Sequence, residues 1–245
     1  MFRILAAASL GLAVVTAIPP TPVLAEKAWR SKLDDGQPIG ENWSATGDFE
    51  QVTLAGSDSV TVTRGDRWQI RASGSAAVLA DLRYLVEDGE LIIGRRWRRE
   101  PVRGNARIEV VAPSIDGGTL AGSGNLSVDA MSGSEIDATV AGSGMFDVAR
   151  VETPRLSATI AGSGSLRVAG RADDTRISIA GSGDLDGTRL RAGRATVTIA
   201  GSGDARFNAE DSVSASIVGS GDAIVSGTTN CTQSRMGSGR LTCSR

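Results

Sequence analysis

From Leu120 onward, apolar and polar residues alternate one for one in short runs, and glycines break each run. Leu126-Ser127-Val128 and Leu156-Ser157-Ala158-Thr159-Ile160 are two such runs. A period of two sends successive side chains to opposite faces, so the pattern predicts half-buried β-strands. Nothing in 122–245 carries a sustained helical stripe. The breaks are regular as well. Gly-Ser-Gly begins at Gly122, Gly142, Gly162, Gly181, Gly201, Gly219 and Gly237, at intervals of 18 to 20 residues. This is an internal repeat, and its unit is two short strands and sharp turns.

Aligning the copies yields columns. Two residues before the first Gly stand Val140, Ile160, Ile179, Ile199 and Ile217; four after it stand Leu126, Phe146, Leu166, Leu185, Ala205, Ala223 and Leu241. These columns face inward. Between them lies an outward column of Thr139, Thr159, Ser178, Thr198 and Ser216. A second outward column, five after the first Gly, alternates in charge: Asp147, Arg167, Asp186, Arg206. Parallel strands stacked in register would put each of these charges about 4.8 Å from an opposite one. An antiparallel meander would not. The predicted fold is therefore all-β: a right-handed parallel β-helix (solenoid) of about seven coils of 18–20 residues. A β-propeller is disfavoured because each blade needs about 40 residues.

The chain before the repeats is less regular. Residues 26–47 are polar and read as a leader or linker. Strand-like runs follow at Phe49–Leu54, Ser59–Thr63, Trp68–Ala72, Arg83–Glu87, Leu91–Gly94 and Ala106–Ala112, with one helical turn within Ala76–Leu82. Leu54-Ala55-Gly56-Ser57-Asp58 reads as a degenerate copy of the repeat. Residues 48–121 are expected to form the irregular first coils and cap, and 122–245 the repeats.

Composition narrows the chemistry. The chain has 245 residues, 31 of them Gly and none His, with two Cys and a formal charge of −2. Without imidazole there is no Ser-His-Asp or Cys-His catalysis and no His-ligated metal site. Two cysteines cannot build a Cys-rich metal centre. The near-neutral balance offers no field for nucleic acid. No metal or other cofactor is expected. At the start, Arg3 precedes an apolar run from Ile4 to Ile18, then Pro19-Pro20-Thr21-Pro22 and Val23-Leu24-Ala25. This is the order of a secretory signal peptide, assigned to 1–25. No second apolar run follows, so no transmembrane segment is expected after cleavage. Export favours a Cys231–Cys243 disulfide. Both positions fall in inward columns on either side of the last Gly-Ser-Gly, where a bridge would staple the terminal coil.

Phe49-Glu50-Gln51-Val52, Ser59-Val60-Thr61-Val62, Leu85 to Ile93, Ile108 to Pro113 and Leu120-Ala121-Gly122-Ser123-Gly124 occur in an order that resembles the GIN-domain family, DUF2807, a "putative auto-transporter adhesin head", over about 48–226. The resemblance implies an exported bacterial protein with a right-handed β-helix and no established enzymatic activity. It supplies no catalytic residues to carry over. The Cys-stapled end departs from the family's pattern.

Two constellations are candidate sites. Arg95-Arg96-Trp97-Arg98-Arg99, with Arg103 nearby, combines guanidinia and an indole that suit an anionic group on a ring; the plainer reading is a solvated loop. Asp184, Asp204 and Asp222 stack directly after Gly-Ser-Gly and suit either a cation or simple turn capping. No acid pair stands out for glycoside hydrolysis, and the only lysines, Lys27 and Lys32, lie in the leader. The sequence reading is thus an exported, non-catalytic, adhesin-like or scaffolding protein of the periplasm or cell surface, whose partner is an envelope protein or glycan. The alternatives are a lyase or hydrolase of acidic polysaccharides, and a structural part of an envelope-stress system.

Overall fold

A computed structural model describes residues 33–245; the signal peptide expected over 1–25 and residues 26–32 of the leader lie outside the described residues. The N-terminal part comprises β1 (Gln37–Pro38), β2 (Ser44–Ala45), β3 (Gln51–Gly56), β4 (Ser59–Arg64), β5 (Gln69–Ser73), α1 (Ala76–Leu79), β6 (Leu82–Glu87), β7 (Glu90–Arg95) and β8 (Arg107–Ala112). The remainder is β9 (Gly117–Gly122), β10 (Asn125–Val128), β11 (Met131–Ser132), β12 (Ile136–Gly142), β13 (Met145–Gly162), β14 (Ser165–Gly181), β15 (Asp184–Gly201), β16 (Ala205–Gly219), β17 (Ala223–Ser226), β18 (Cys231–Gly237) and β19 (Leu241–Ser244). Each expected strand run has its counterpart, and Ser75 caps the single helical turn by accepting from the Val78 N–H.

The repeats stack as parallel coils of a β-solenoid with about six turns, bounded by the seven Gly-Ser-Gly sites. Register is kept rung by rung: Gly142 pairs with Gly162, Gly162 with Gly181, Gly181 with Gly201 and Gly201 with Gly219. The inward columns are buried along the rod, from Val140 through Ile160, Ile179 and Ile199 to Ile217. Large and small residues interdigitate between rungs. A Cβ on Gly118 would run into the Phe146 ring, and one on Gly187 would meet the Phe207 Cβ at 3.0 Å. The turns themselves demand glycine. Gly162 has φ of +125°, and a Cβ there would strike the Gly142 carbonyl of the coil below.

At the base, the order in space departs from the order in sequence. β3 stacks between β7 and β9, and β4 between β8 and β10. The degenerate copy at Gly56 is in register with Gly122, so β3–β4 is a genuine coil. The coil beneath it is β7–β8, made of later residues. Its counterpart of the Gly-Ser-Gly turn is a long loop, 96–106. Beneath and beside that coil, β6 and β7 form an antiparallel hairpin through Asp88-Gly89, both at positive φ as a two-residue hairpin turn requires. β5 runs antiparallel to β8. The described part of the expected leader is no free linker. β1 pairs with β6, β2 with β5, and Leu33 and Ile39 are buried. The polar composition of 26–47 concealed these apolar anchors.

At the other end, β18 and β19 pair, among the described residues, only with β16 and β17. The Cys231–Cys243 disulfide is formed and joins these two strands, with a Cα–Cα distance of 6.7 Å. Gln233 and Arg235, at columns that are apolar below, accompany exposed Met236 at this last rung.

Candidate functional site

The loop joining β7 to β8 begins where the chain leaves the solenoid wall. Gly94 makes this possible. A Cβ there would meet the Ala55 carbonyl at 2.8 Å, so only glycine lets β7 lie this close to β3. Arg95 follows and turns under the loop. Its Nε donates to Asp58 Oδ2 at 2.8 Å and its Nη2 to Oδ1 at 2.5 Å; the remaining donors reach the carbonyls of Val102 (3.0 Å) and Gly104 (2.7 Å). Asp58 is buried and also accepts from the Ala106 N–H at 2.7 Å. This pair fastens both ends of the loop to the second coil, and its hydrogen bonds hold the Arg95 guanidinium above its ordinary pKa. Expected from sequence as part of the anion-binding cluster, Arg95 has four of its five N–H donors engaged within the protein.

Arg96 and Arg98 converge on a second buried carboxylate. Their Nε atoms donate to Asp81 Oδ1 at 2.9 and 2.6 Å, and the Arg96 N–H donates to the Asp81 carbonyl at 2.9 Å. Burial raises the Asp81 carboxyl, but the two guanidinium hydrogen bonds and their charge outweigh it, so the group sits below the ordinary carboxylate range. Between them, the Trp97 N–H donates to Asp34 Oδ1 at 2.8 Å and its ring faces outward, 62% exposed. Arg99 and Arg103 are exposed, and no ion-pair partner lies near them among the described residues. Together Trp97, Arg96, Arg98 and Arg103 line a groove of about 610 Å³, floored by the turns at Gly56-Ser57 and Gly122-Ser123. Sequence reasoning found the arginines and missed their anchors. Asp58 occupies the second Gly position of a degenerate repeat, and Asp81 interrupts the apolar stretch Val78 to Leu82; either departure was a signal.

The Asp ladder caps turns. The Asp204 N–H donates to Asp184 Oδ1 at 3.2 Å, the Asp222 N–H to Asp204 Oδ1 at 2.9 Å and the Arg240 N–H to Asp222 Oδ1 at 2.8 Å. In earlier coils the equivalent N–H groups of Met145, Ser165 and Asp184 donate instead to the carbonyls of Gly124, Gly144 and Gly164. Aspartate appears where the carboxylate replaces that carbonyl. Each carboxylate of the ladder thus has one oxygen engaged by the N–H of the next turn. No cluster of three or more acids or cysteines able to hold a metal ion forms among the described residues.

The charge column is also in the expected register: Asp147 faces Arg167, Arg167 faces Asp186 and Asp186 faces Arg206. The side chains do not pair along it. Asp186 accepts from the Thr188 hydroxyl and N–H, which lowers its pKa, and Arg206 turns to Asp204 at 3.5 Å. The pairs form one corner further on, in a ladder the sequence reading overlooked: Glu135 with Arg155 at 3.2 Å and Asp174 with Arg194 at 2.7 Å. These residues recur at the same 19–20-residue interval as the tripeptide. They edge a second groove of about 470 Å³, whose wall includes Ser157, Arg176, Thr196, Ser214 and Thr232, one per coil.

The fold and its surface are those of a capped β-solenoid with ruled, polar faces and a basic groove at its base. The chain belongs to the family described as "putative auto-transporter adhesin, head GIN domain", whose model matches residues 48–229. Solved structures agree on the fold. A putative adhesin from Bacteroides fragilis superposes with a TM-score of 0.76 at 20% identity, covering 83% of this chain and 95% of its own. A putative lipid binding protein from Parabacteroides distasonis has a TM-score of 0.65 at 22% identity, covering 86% and 98%. A putative adhesin from Parabacteroides merdae has a TM-score of 0.66 at 17% identity, covering 83% and 95%. No curated protein matches the chain.

Proposed function

We propose that this protein is an exported, non-catalytic, adhesin-like protein of the bacterial cell envelope, which presents a rigid solenoid to a surface glycan or an envelope protein. The observation that carries the reading is the ruled outer face. Thr119, Thr139, Thr159, Ser178, Thr198, Ser216 and Ser234 stand in one column, one hydroxyl per coil, on strands whose pairing is unbroken along it. Such a face is stiff before it binds, which suits recognition of a repeating or extended partner at small entropic cost. The family's adhesin label and the signal-peptide pattern at the N-terminus support the same reading. Three of the described carboxylates with shifted pKa values are spent on the fold: Asp81 anchors a loop, Asp174 pairs with Arg194 and Asp186 accepts from Thr188. The fourth, Asp116, lines neither groove.

The test combines binding with turnover. Purified protein incubated with envelope fractions should be retained, and it should release no unsaturated or reducing ends from uronate polymers. Turnover that a single Asp or Arg substitution abolishes would establish the lyase or hydrolase reading instead. Failure of retention on every envelope fraction would remove the binding reading.

A further inference from the structure

We infer that the groove beside the β7–β8 loop binds an acidic saccharide, with Trp97 against the sugar ring and Arg96, Arg98 and Arg103 around its carboxylate or sulfate. The inference rests on the proposed envelope-binding function and assigns it a place and a ligand class.

The first argument is the tryptophan. Trp68 is packed against the core and donates its Nε1–H to the Phe49 carbonyl at 2.9 Å. Trp43 lies under the Arg71 guanidinium, 4.6 Å from the ring centroid. Among the described tryptophans, Trp97 alone has a partner for neither its ring nor its Nε1–H. Yet its backbone is held on both sides, by Asp34 and through Arg96 and Arg98 by Asp81. An indole fixed in place with a bare face and a free donor is prepared for a ligand with an apolar face and hydroxyl acceptors, which is what a pyranose ring offers.

The second argument is the charge. Asp58 neutralises Arg95 from below. Asp81 offsets one of the other guanidinia on the wall and uses only the Nε atoms of Arg96 and Arg98, leaving their terminal N–H groups free of ion-pair partners. Arg103, in the lining, adds charge without an ion-pair partner among the described residues. A guanidinium offers five donors in a fork that matches a carboxylate or sulfate. The third argument is shape. A recess of about 610 Å³ accepts a few sugar units, and its floor of Gly56, Ser57, Gly122 and Ser123 lets a ring approach the backbone. A concave site of this kind does not suit the plane of a bilayer.

The test is calorimetric titration of the intact protein with oligogalacturonate and with sulfated dextran oligosaccharides, against neutral malto-oligosaccharides and anionic phospholipid vesicles. The expected result is binding to at least one acidic oligosaccharide, weakened by added salt and absent for the neutral series. Trp97→Ala and Arg103→Glu, which alter exposed side chains, should each weaken it by about tenfold or more, as stacking and charge-assisted contacts imply. No binding to either acidic probe, unchanged binding by both variants, equal affinity for the neutral series, or binding to vesicles alone would each overturn the inference. Retention on envelope fractions, measured separately, distinguishes loss of this site from loss of the wider function: a protein retained there but indifferent to the acidic probes keeps the function and lacks this site.

Discussion

At the scale of single residues, the two buried carboxylates have cationic partners, and the half-buried Asp116 has none among the described residues. Asp58 and Asp81 are reached by guanidinia. Asp116 is different. Its Oδ1 is buried without a hydrogen-bond partner, and burial raises its pKa, with the charges of Glu50 and Asp137 adding to the effect. The sign of its pH linkage follows. A carboxyl whose folded pKa is raised favours the folded state while protonated, and this advantage is lost as pH rises from the unfolded value of 3.8 through the folded pKa. Asp116→Asn should therefore stabilise the protein at neutral pH, and the gain should disappear below about pH 3.8. Thermal unfolding of the two proteins across pH 3 to 7 checks this; a variant equally or less stable at pH 7 would show that Asp116 does not carry a burial cost. Asp81 has the opposite linkage. Its contribution is present above the unfolded pKa of 3.8 and is lost as pH falls through the depressed folded value, so acid should detach the basic loop.

At the scale of the element, the coil is held by backbone contacts that allow few substitutions. Gly162 combines a positive φ with a close approach to the Gly142 carbonyl. Gly162→Ala should cost more than the roughly 1–3 kcal/mol of backbone strain alone, because the coils must also part. Chemical denaturation measures it; a loss under about 1 kcal/mol would mean the turn is softer than its geometry implies. The terminal coil has a different support. Its inward columns turn polar and, among the described residues, its strands pair on one side only, so it depends on the Cys231–Cys243 bridge. Cys231→Ser should cost about 2–4 kcal/mol in that coil. Hydrogen exchange should show the loss of protection concentrated in β18 and β19 and fading toward β14, because solenoid coils interact mainly with their neighbours. Uniform loss of protection would indicate that the rod unfolds as a single unit.

At the scale of the whole molecule, the functional candidate sits at the base of the rod. The base is built by inserting β3–β4 between a later coil, β7–β8, and the repeats. This exchange turns the loop after β7 into the bottom counterpart of the Gly-Ser-Gly turn. The residues freed from the tight turn carry Trp97 and the arginines. The proposed binding of envelope surfaces belongs to this scale as well, since it requires the long hydroxyl column and the basal groove on one rigid body.

The solenoid and its register were written in the chain itself. A strict period of two, interrupted every 18 to 20 residues by glycines, admits one economical stacking, and the alternation of Asp147, Arg167, Asp186 and Arg206 identified it as parallel. Export and the repeat columns also marked the pairing of the two cysteines. The tertiary structure alone decided which charges are free. Arg95 and Arg99 are equivalent as letters, yet one is locked onto Asp58, 37 residues away, and the other stands in solvent. The column charges proved to be in register but unpaired, because exposed side chains gain little from meeting and turn to closer partners. Strand periodicity is a local property, carried by neighbouring residues. The local pattern marked Asp58 and Asp81 as departures, but which guanidinia they meet, and how the base is threaded, depend on contacts between distant segments that periodicity does not encode.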